Sequence, residues 1–348
     1  MAKKEQQSDA LQMLKAAIRE KNADRLYIFF GEETFLLQHY LGQLRKMLTD
    51  EVTEAFNFHK FTQENFDMPT FAETVENLPM MAEHTMIWVD EIDFFSFDES
   101  AREKLIAIFS DIPDYCTVVF TYDTVSWKPD KRLKKLYEAV ESNATVVEFP
   151  KQQQRDLVAW ITRHFAANGK QISQDLCIYL IEITGGTMTA LAGEISKICA
   201  YSGADHICKS DIDAVVEPVL DALVFQMTDL IGQQEYGKAL QKLQQLFKMQ
   251  QEPIALLGSI GVHFRRLSAA RILLDNGKTS DELAKLYALS DYPARKTMAV
   301  ASKFSARFCA RASEMILETD RGMKTSLDDP KRLLEVLVVN LAQEARNG

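Results

Sequence analysis

Two hydrophobic periods alternate through the first 150 residues. "LYIFF" (26–30), "FNFHKF" (56–61), "TMIWVDEID" (85–93), "TVVFTY" (117–122) and "ATVVEF" (144–149) are short apolar runs rich in β-branched and aromatic residues, as buried strands are. Between them "MPTFAETVENL", "SAREKLIAIFSDI" and "KRLKKLYEAV" carry apolar side chains at helical spacing. Such alternation predicts a mostly parallel sheet covered by helices. After residue 150 the strand pattern stops. "QRDLVAWITRHFAANG", "SQDLCIYLIEITGG", "MTALAGEISKICAYSG" and "KSDIDAVVEP" read as four helices, the first three punctuated by glycine, where helices commonly end. From Val219 the chain is helical throughout. There "TSDE" fits a capping box of Thr279 and Glu282, Pro293 and Pro330 sit at helix starts, and "DNG" closes the helix before 279. The expected fold class is thus α/β plus all-α, with an α/β domain over 1–150 and helical domains over 151–217 and 218–348. A chain of 348 residues is also too long for one typical core.

The first strand leads into a turn that raises a chemical question. "LYIFFGEETFLLQHYLGQLRK" supplies strand, glycine and amphipathic helix in the order of a nucleotide-binding fold. A phosphate loop at this junction would read GxxxxGK followed by Ser or Thr, with amide N–H groups and a lysine facing the phosphates. Here the turn is Gly31, Glu32, Glu33, Thr34. Two carboxylates suit the positive end of a helix dipole but repel a triphosphate.

Composition narrows the classes further. Hydrophobic residues make up 47% and charged residues 26%, ordinary for a folded soluble chain. No apolar run reaches the ~18 residues of a membrane span, and no basic-then-apolar leader opens the chain, so a cytoplasmic location is expected. The net charge of −10 is unevenly spread. Residues 1–217 hold 22 basic against 35 acidic residues, whereas 218–348 hold 18 against 15. That balance argues against DNA binding over the whole surface and leaves room for a local basic face. Cys116, Cys177, Cys199, Cys208 and Cys309 form no CxxC pair and are expected to be buried free thiols. The six histidines, His39, His59, His84, His164, His206 and His263, lack HxxxH or HExxH spacing, so no metal and no cofactor is expected.

Three stretches remain as candidates for chemistry or binding. "MIWVDEID" ends a strand with Asp90 and Glu91, the residue types with which an ATPase holds magnesium and positions water. Without a phosphate loop to deliver the metal, a solvated acidic strand end is the favoured alternative. The run "KPDKRLKK", Lys128 to Lys135, could meet a nucleic-acid phosphate, although charges opening a helix usually form a solvated face. In "NLPMMAEH", Pro79 stops a helix and is followed by Met80 and Met81 on a turn. Two such residues are either tucked under the sheet as gap-fillers or offered to a partner.

The order of these segments, taken with several longer stretches, resembles the delta subunits of bacterial DNA polymerase III clamp loaders. "LYIFFGEETFLL", "ENLPMMAEHTMIWV", "DKRLKKLYEAVESNATVVEFP", "FQMTDLIGQQEYGKALQKLQQLF", "FRRLSAARILL" and "GMKTSLDDPKRLLEVLVVNL" carry the similarity along nearly the whole chain. The resemblance implies an AAA+-like parallel α/β domain without a functional phosphate loop (1–150), a small helical lid (151–217) and a C-terminal helical collar for oligomerisation (218–348). It also implies a subunit without intrinsic catalysis or cofactor, which binds the ring-shaped sliding clamp (the beta subunit) and helps open it for loading onto primed DNA. Its other implied partners are the ATPase (gamma/tau) and delta-prime subunits, with DNA met through the assembled complex and no membrane involved. In that family the turn at the position of Pro79 to Met81 offers an adjacent apolar pair, commonly Leu-Phe or Phe-Phe, to the clamp's hydrophobic pocket. The resemblance places Met80 and Met81 in that role, keeping volume and polarity but not the aromatic ring. The alternatives are an active AAA+ ATPase with a divergent phosphate site, and a delta-prime type subunit. The latter would be expected to carry a zinc module and a Ser-Arg-Cys motif, and this chain has neither.

Overall fold

The computed structural model describes residues 2–248, 252–287, 289 and 291–347. It divides into two compact units, Met1–Gln152 and Gln153–Gly348.

The first unit holds all five strands: β1 (Leu26–Phe30), β2 (Phe58–Phe61), β3 (Thr85–Asp90), β4 (Cys116–Tyr122) and β5 (Thr145–Glu148). They form one parallel sheet in the order β2-β3-β4-β1-β5. Burial follows that order. All seven residues of central β4 are buried, whereas edge strands β2 and β5 each bury only one of four. A parallel strand covered on both faces has no solvent-facing side, which is why "CTVVFTY" shows no alternation and buries even Thr117 and Thr121.

Side-chain alternation divides the strands between two cores. Leu26 and Ile28 join Ile87, Val89, Val118 and Phe120 on one face. Helices α4 (Met68–Glu76), α5 (Glu99–Ser110) and α6 (Lys134–Asn143) cover that face with Phe71, Leu105, Phe109 and Leu136. Tyr27 and Phe29 point the other way, with Met86, Val119 and Phe149, against α1 (Ala2–Glu20) and α2 (Thr34–Leu48). One short helix, α3 (Glu54–Asn57), leads into β2. Helix α1 is not foreseen in the apolar pattern: "AKKEQQSDALQMLKAAIRE" is polar for most of its length, yet Leu14 is fully buried in the second core.

The second unit is helical, with α7 (Gln154–Ala167), α8 (Gln174–Thr184), α9 (Met188–Tyr201) and α10 (Lys209–Val215) first. Gly185 follows α8 at φ +79, the left-handed conformation that lets a chain leave a helix at little cost. Helices α11 (Leu220–Gly232), α12 (Tyr236–Lys248), α13 (Pro253–Asp275), α14 (Ser280–Tyr287), α15 (Asp291–Ala301), α16 (Ala306–Thr325) and α17 (Pro330–Asn347) complete it. Before α14, the Glu282 carboxylate accepts from the Thr279 backbone N–H at 3.1 Å and its hydroxyl at 2.8 Å. Pro330 is the first residue of α17, while Pro293 is the third of α15.

Leu334, Leu337, Val338 and Leu341 are buried in a cluster built from residues 223–341, so this stripe of α17 makes the unit's own core. The expectation that cysteines are buried fails at one position: Cys208 is exposed ahead of α10, while Cys116, Cys177 and Cys309 are buried and Cys199 half-buried. Among the described residues, no single helix is long and apolar enough to cross a membrane.

Candidate functional site

Helix α4 is started firmly and ended abruptly. The Asp67 carboxylate accepts from the Thr70 backbone N–H at 3.0 Å and from its hydroxyl at 2.8 Å, and these bonds lower its pKa. At the other end the Tyr115 hydroxyl donates to the Glu76 carbonyl at 2.8 Å, and Asn77 is already extended. Pro79 disfavours helix at the residue before it and can donate no backbone bond of its own. The chain therefore leaves the helix as a turn.

On that turn Leu78 is 74% exposed, Met80 57% and Met81 92%. Met81 also has φ +54, in the left-handed region where an L side chain is strained. Three large apolar residues in four positions are thus presented to solvent, and one is held in an unfavourable backbone conformation to do so. The sequence left open whether the two methionines pack under the sheet; neither does.

The turn is held by a residue that the sequence did not single out. Asn57, the last residue of α3, is fully buried. Its side-chain oxygen accepts from the Met80 N–H at 2.7 Å, and its side-chain nitrogen donates to the Met80 carbonyl at 2.9 Å and the Thr53 carbonyl at 3.1 Å. The preceding loop is itself fixed, since the Asp50 carboxylate accepts from the N–H groups of Val52 and Thr53 and its pKa falls as a result. An ion pair joins Arg45 to Glu54, and the same guanidinium lies 4.0 Å over the Phe58 ring. Val52 and Phe56 beside Asn57 are exposed as well. Among the described residues of this unit, the large exposed apolar side chains are these two, Leu78, Met80, Met81 and Met13. Five of the six lie on the two segments that Asn57 ties together.

The junction between β1 and α2 is closed by protein. Gly31 has φ +134, and a β-carbon placed there would lie 2.3 Å from the Phe149 carbonyl oxygen. That carbonyl also accepts the Glu33 N–H at 3.0 Å. An amide that a phosphate loop would turn toward its ligand is thus satisfied by the chain. Glu33 itself is buried, and its side chain makes no capping bond to α2.

Asp90 and Glu91 are engaged internally. Asp90 accepts from the Thr121 hydroxyl at 2.8 Å and pairs with Lys60 at 2.9 Å, while the Lys60 ammonium lies 3.6 Å over the Trp88 ring. The Glu91 carboxylate accepts from the N–H groups of Asp123, Thr124 and Val125 and from the Thr124 hydroxyl, at 2.6–3.0 Å. It closes the loop after β4, and Glu91 takes φ +59 to reach it. Burial and then the charges of Glu91 and Asp90 raise the neighbouring Asp123 carboxyl pKa. Of the basic run, Arg132 forks onto Asp130 at 2.8–3.1 Å and holds that carboxyl at about 2. The Arg132 side chain remains largely in solvent.

Comparison with known proteins gives a consistent result. The family model for the DNA polymerase III delta subunit matches residues 27–150, and that for its C-terminal domain matches residues 221–341. "DNA polymerase III subunit delta" of Bacillus subtilis (strain 168) is 23% identical over 331 residues, 93% of this chain and 95% of the relative. "Probable DNA polymerase III subunit delta" of Aquifex aeolicus (strain VF5) is 20% identical over 263 residues, 73% of each chain. The fold is similar to the solved Bacillus subtilis DNA clamp loader delta protein, with a TM-score of 0.64, 21% identity, and coverage of 95% of this chain and 98% of that one.

Proposed function

Since the chain belongs to the DNA polymerase III delta subunit family and serves in the clamp loader, we propose that it is the non-catalytic subunit that grips the sliding clamp through Met80 and Met81. The observation that carries this reading is the turn after α4. It sets Met80 and Met81 in solvent, with Leu78 beside them and the exposed Val52 and Phe56 on the segment that Asn57 ties to the turn. An apolar patch kept exposed at the cost of backbone strain is best accounted for by a partner that covers it. A flexible thioether can fill a pocket of irregular shape, so a methionine pair suits a hydrophobic socket.

Seating the two side chains in the clamp near one of its subunit interfaces would favour the open ring, because a ligand shifts an equilibrium by its differential affinity for the two states. ATP is bound and hydrolysed by the neighbouring gamma/tau subunits. The filled junction at Gly31 and the internal bonding of Asp90 and Glu91 support this division of labour. We assign residues 1–150 to clamp contact, 151–217 to a lid and 218–348 to a collar that joins the gamma/tau and delta-prime subunits. A cluster built only from residues 223–341 supports a separate collar core. Primed DNA is met through the assembled complex, in the cytoplasm.

The test is to mix the purified chain with clamp and loader subunits, size the products, and titrate the isolated chain with ATP. A stable complex with the clamp and no saturable ATP binding at micromolar concentration are expected. Saturable ATP binding would overturn the non-catalytic assignment, and failure to associate with the clamp would overturn the clamp-gripping role.

A further inference from the structure

The Met80 turn is anchored from outside its own segment. Asn57 lies 23 residues earlier, and its one side-chain amide engages both backbone groups of Met80, N–H and carbonyl, at 2.7 and 2.9 Å. A primary amide used in this way imitates a neighbouring strand, because acceptor and donor are offered side by side in one plane. Its third bond, to the Thr53 carbonyl at 3.1 Å, ties the amide to the start of its own helix and restrains its orientation independently of the turn. The amide is buried, and a buried polar group left without partners is costly, so the arrangement holds the turn closed.

The residue that follows is the one under strain. Met81 stands at φ +54 with its side chain 92% exposed, and nothing in its own packing favours that geometry over a relaxed one. Fixing both peptide groups of Met80 restricts the backbone leading into Met81. We infer that Asn57 is a positioning residue for clamp docking, holding the Met80–Met81 turn in its binding conformation ahead of contact. The inference rests on the assignment of Met80 and Met81 to the clamp contact. Its physical basis is pre-organisation: a turn sampling many conformations when free binds more weakly by the fraction of time it spends in the competent one.

The experiment measures affinity for the purified sliding clamp and melting temperature for four full-length chains, with Asn57→Ser as a fifth. These are the wild type, Asn57→Ala, the Met80→Ala and Met81→Ala double variant, and the triple variant combining all three changes. A positioning residue acts only through the side chains it positions. Asn57→Ala should therefore weaken clamp binding about tenfold in the wild-type background and by less than about twofold in the double-variant background. Its effect on melting temperature should be the same in both backgrounds, which separates positioning from general support of the fold. The Met80 amide should also exchange with solvent faster once Asn57 is removed. Asn57→Ser is the gentler second variant: it can keep the bond to the Thr53 carbonyl and is too short to span Met80, so it should reproduce the affinity loss with less cost to stability. Clamp affinity unchanged in Asn57→Ser or Asn57→Ala, while the double methionine variant loses binding, overturns the inference and leaves the docking assignment standing. Unchanged affinity in the double methionine variant overturns the docking assignment, and the inference falls with it. An equal affinity loss from Asn57→Ala in both backgrounds also overturns the inference, because Asn57 would then act elsewhere.

Discussion

Replacing both Met80 and Met81 with alanine should remove most of the clamp affinity while leaving the fold intact. Fully burying an exposed methionine side chain is worth about 1.5–3 kcal/mol. The free chain still exposes 57% of Met80 and 92% of Met81, which is the surface left for a partner to cover. Scaled by those fractions, the pair is worth about 2–4.5 kcal/mol. At about 1.4 kcal/mol per decade this is a loss of roughly 40- to 2,000-fold. The same exposure makes the stability cost small, since truncating a side chain that touches solvent opens no cavity. Met81→Gly separates the two effects further: it removes the apolar anchor and relieves the strain at φ +54, so affinity should fall while the melting temperature holds or rises. Met81→Phe keeps an apolar anchor and should bind as well or better. Affinity is read by titration calorimetry against the purified clamp, and stability by thermal unfolding monitored at the helical signal. Unchanged affinity of the double variant would place the clamp contact elsewhere, and a collapse of its melting temperature would show that the pair supports the core.

Three further outcomes follow from the geometry. Gly31→Ala puts a β-carbon against the Phe149 carbonyl at a φ that L residues rarely adopt, and should destabilise the protein by at least about 1–3 kcal/mol; an unshifted urea midpoint would contradict it. A fragment ending at Gln152 contains both sheet-face cores, so it should unfold cooperatively and bind the clamp without co-eluting with the gamma/tau subunits; a folded fragment that cannot bind would move the contact into residues 153–348. His263, buried against Phe225 and Phe264, has its pKa lowered by burial, and secondarily by Arg266, to about 4. The unfolded chain then takes up a proton near pH 6.5 while the folded one does not. Stability is therefore full above about pH 6.5 and falls toward pH 4, by about 3 kcal/mol at roughly 1.4 kcal/mol per pH unit. His263→Phe should flatten that acid limb in pH-dependent denaturation, and an unchanged slope would assign it to other groups.

The layout of the chain was legible because its signals are local. Strand β4 is a continuous apolar run since both its faces are covered, and the helices of the second unit announce their ends by glycine, proline and capping residues within a turn or two. The absence of a phosphate loop was equally readable, because a cradle of amides and a lysine must be written in consecutive residues. Helix α1 was missed for the converse reason: it opens on a run of polar residues, its apolar stripe of Ala10, Leu11, Leu14 and Ile18 is short, and its place in the fold depends on a sheet face made by strands far along the chain.

What fills the space at Gly31 could not be read from that turn, since it is the carbonyl of Phe149, more than a hundred residues away. Leu333, Leu334, Leu337, Val338 and Leu341 lie at helical spacing in the sequence, but only packing decides that Leu334, Leu337, Val338 and Leu341 face the unit's own core. Hydrophobic periodicity reports that a face is covered and is silent on what covers it. The pair Met80 and Met81 shows the same division most plainly. The sequence by itself determined that two methionines follow a helix stopped by proline. The tertiary structure decided that they stand in solvent, because Asn57 on another element holds the Met80 backbone at 2.7 and 2.9 Å and the chain turns outward at Met81. Exposure is fixed by contacts between segments distant in sequence, and no local pattern carries that information.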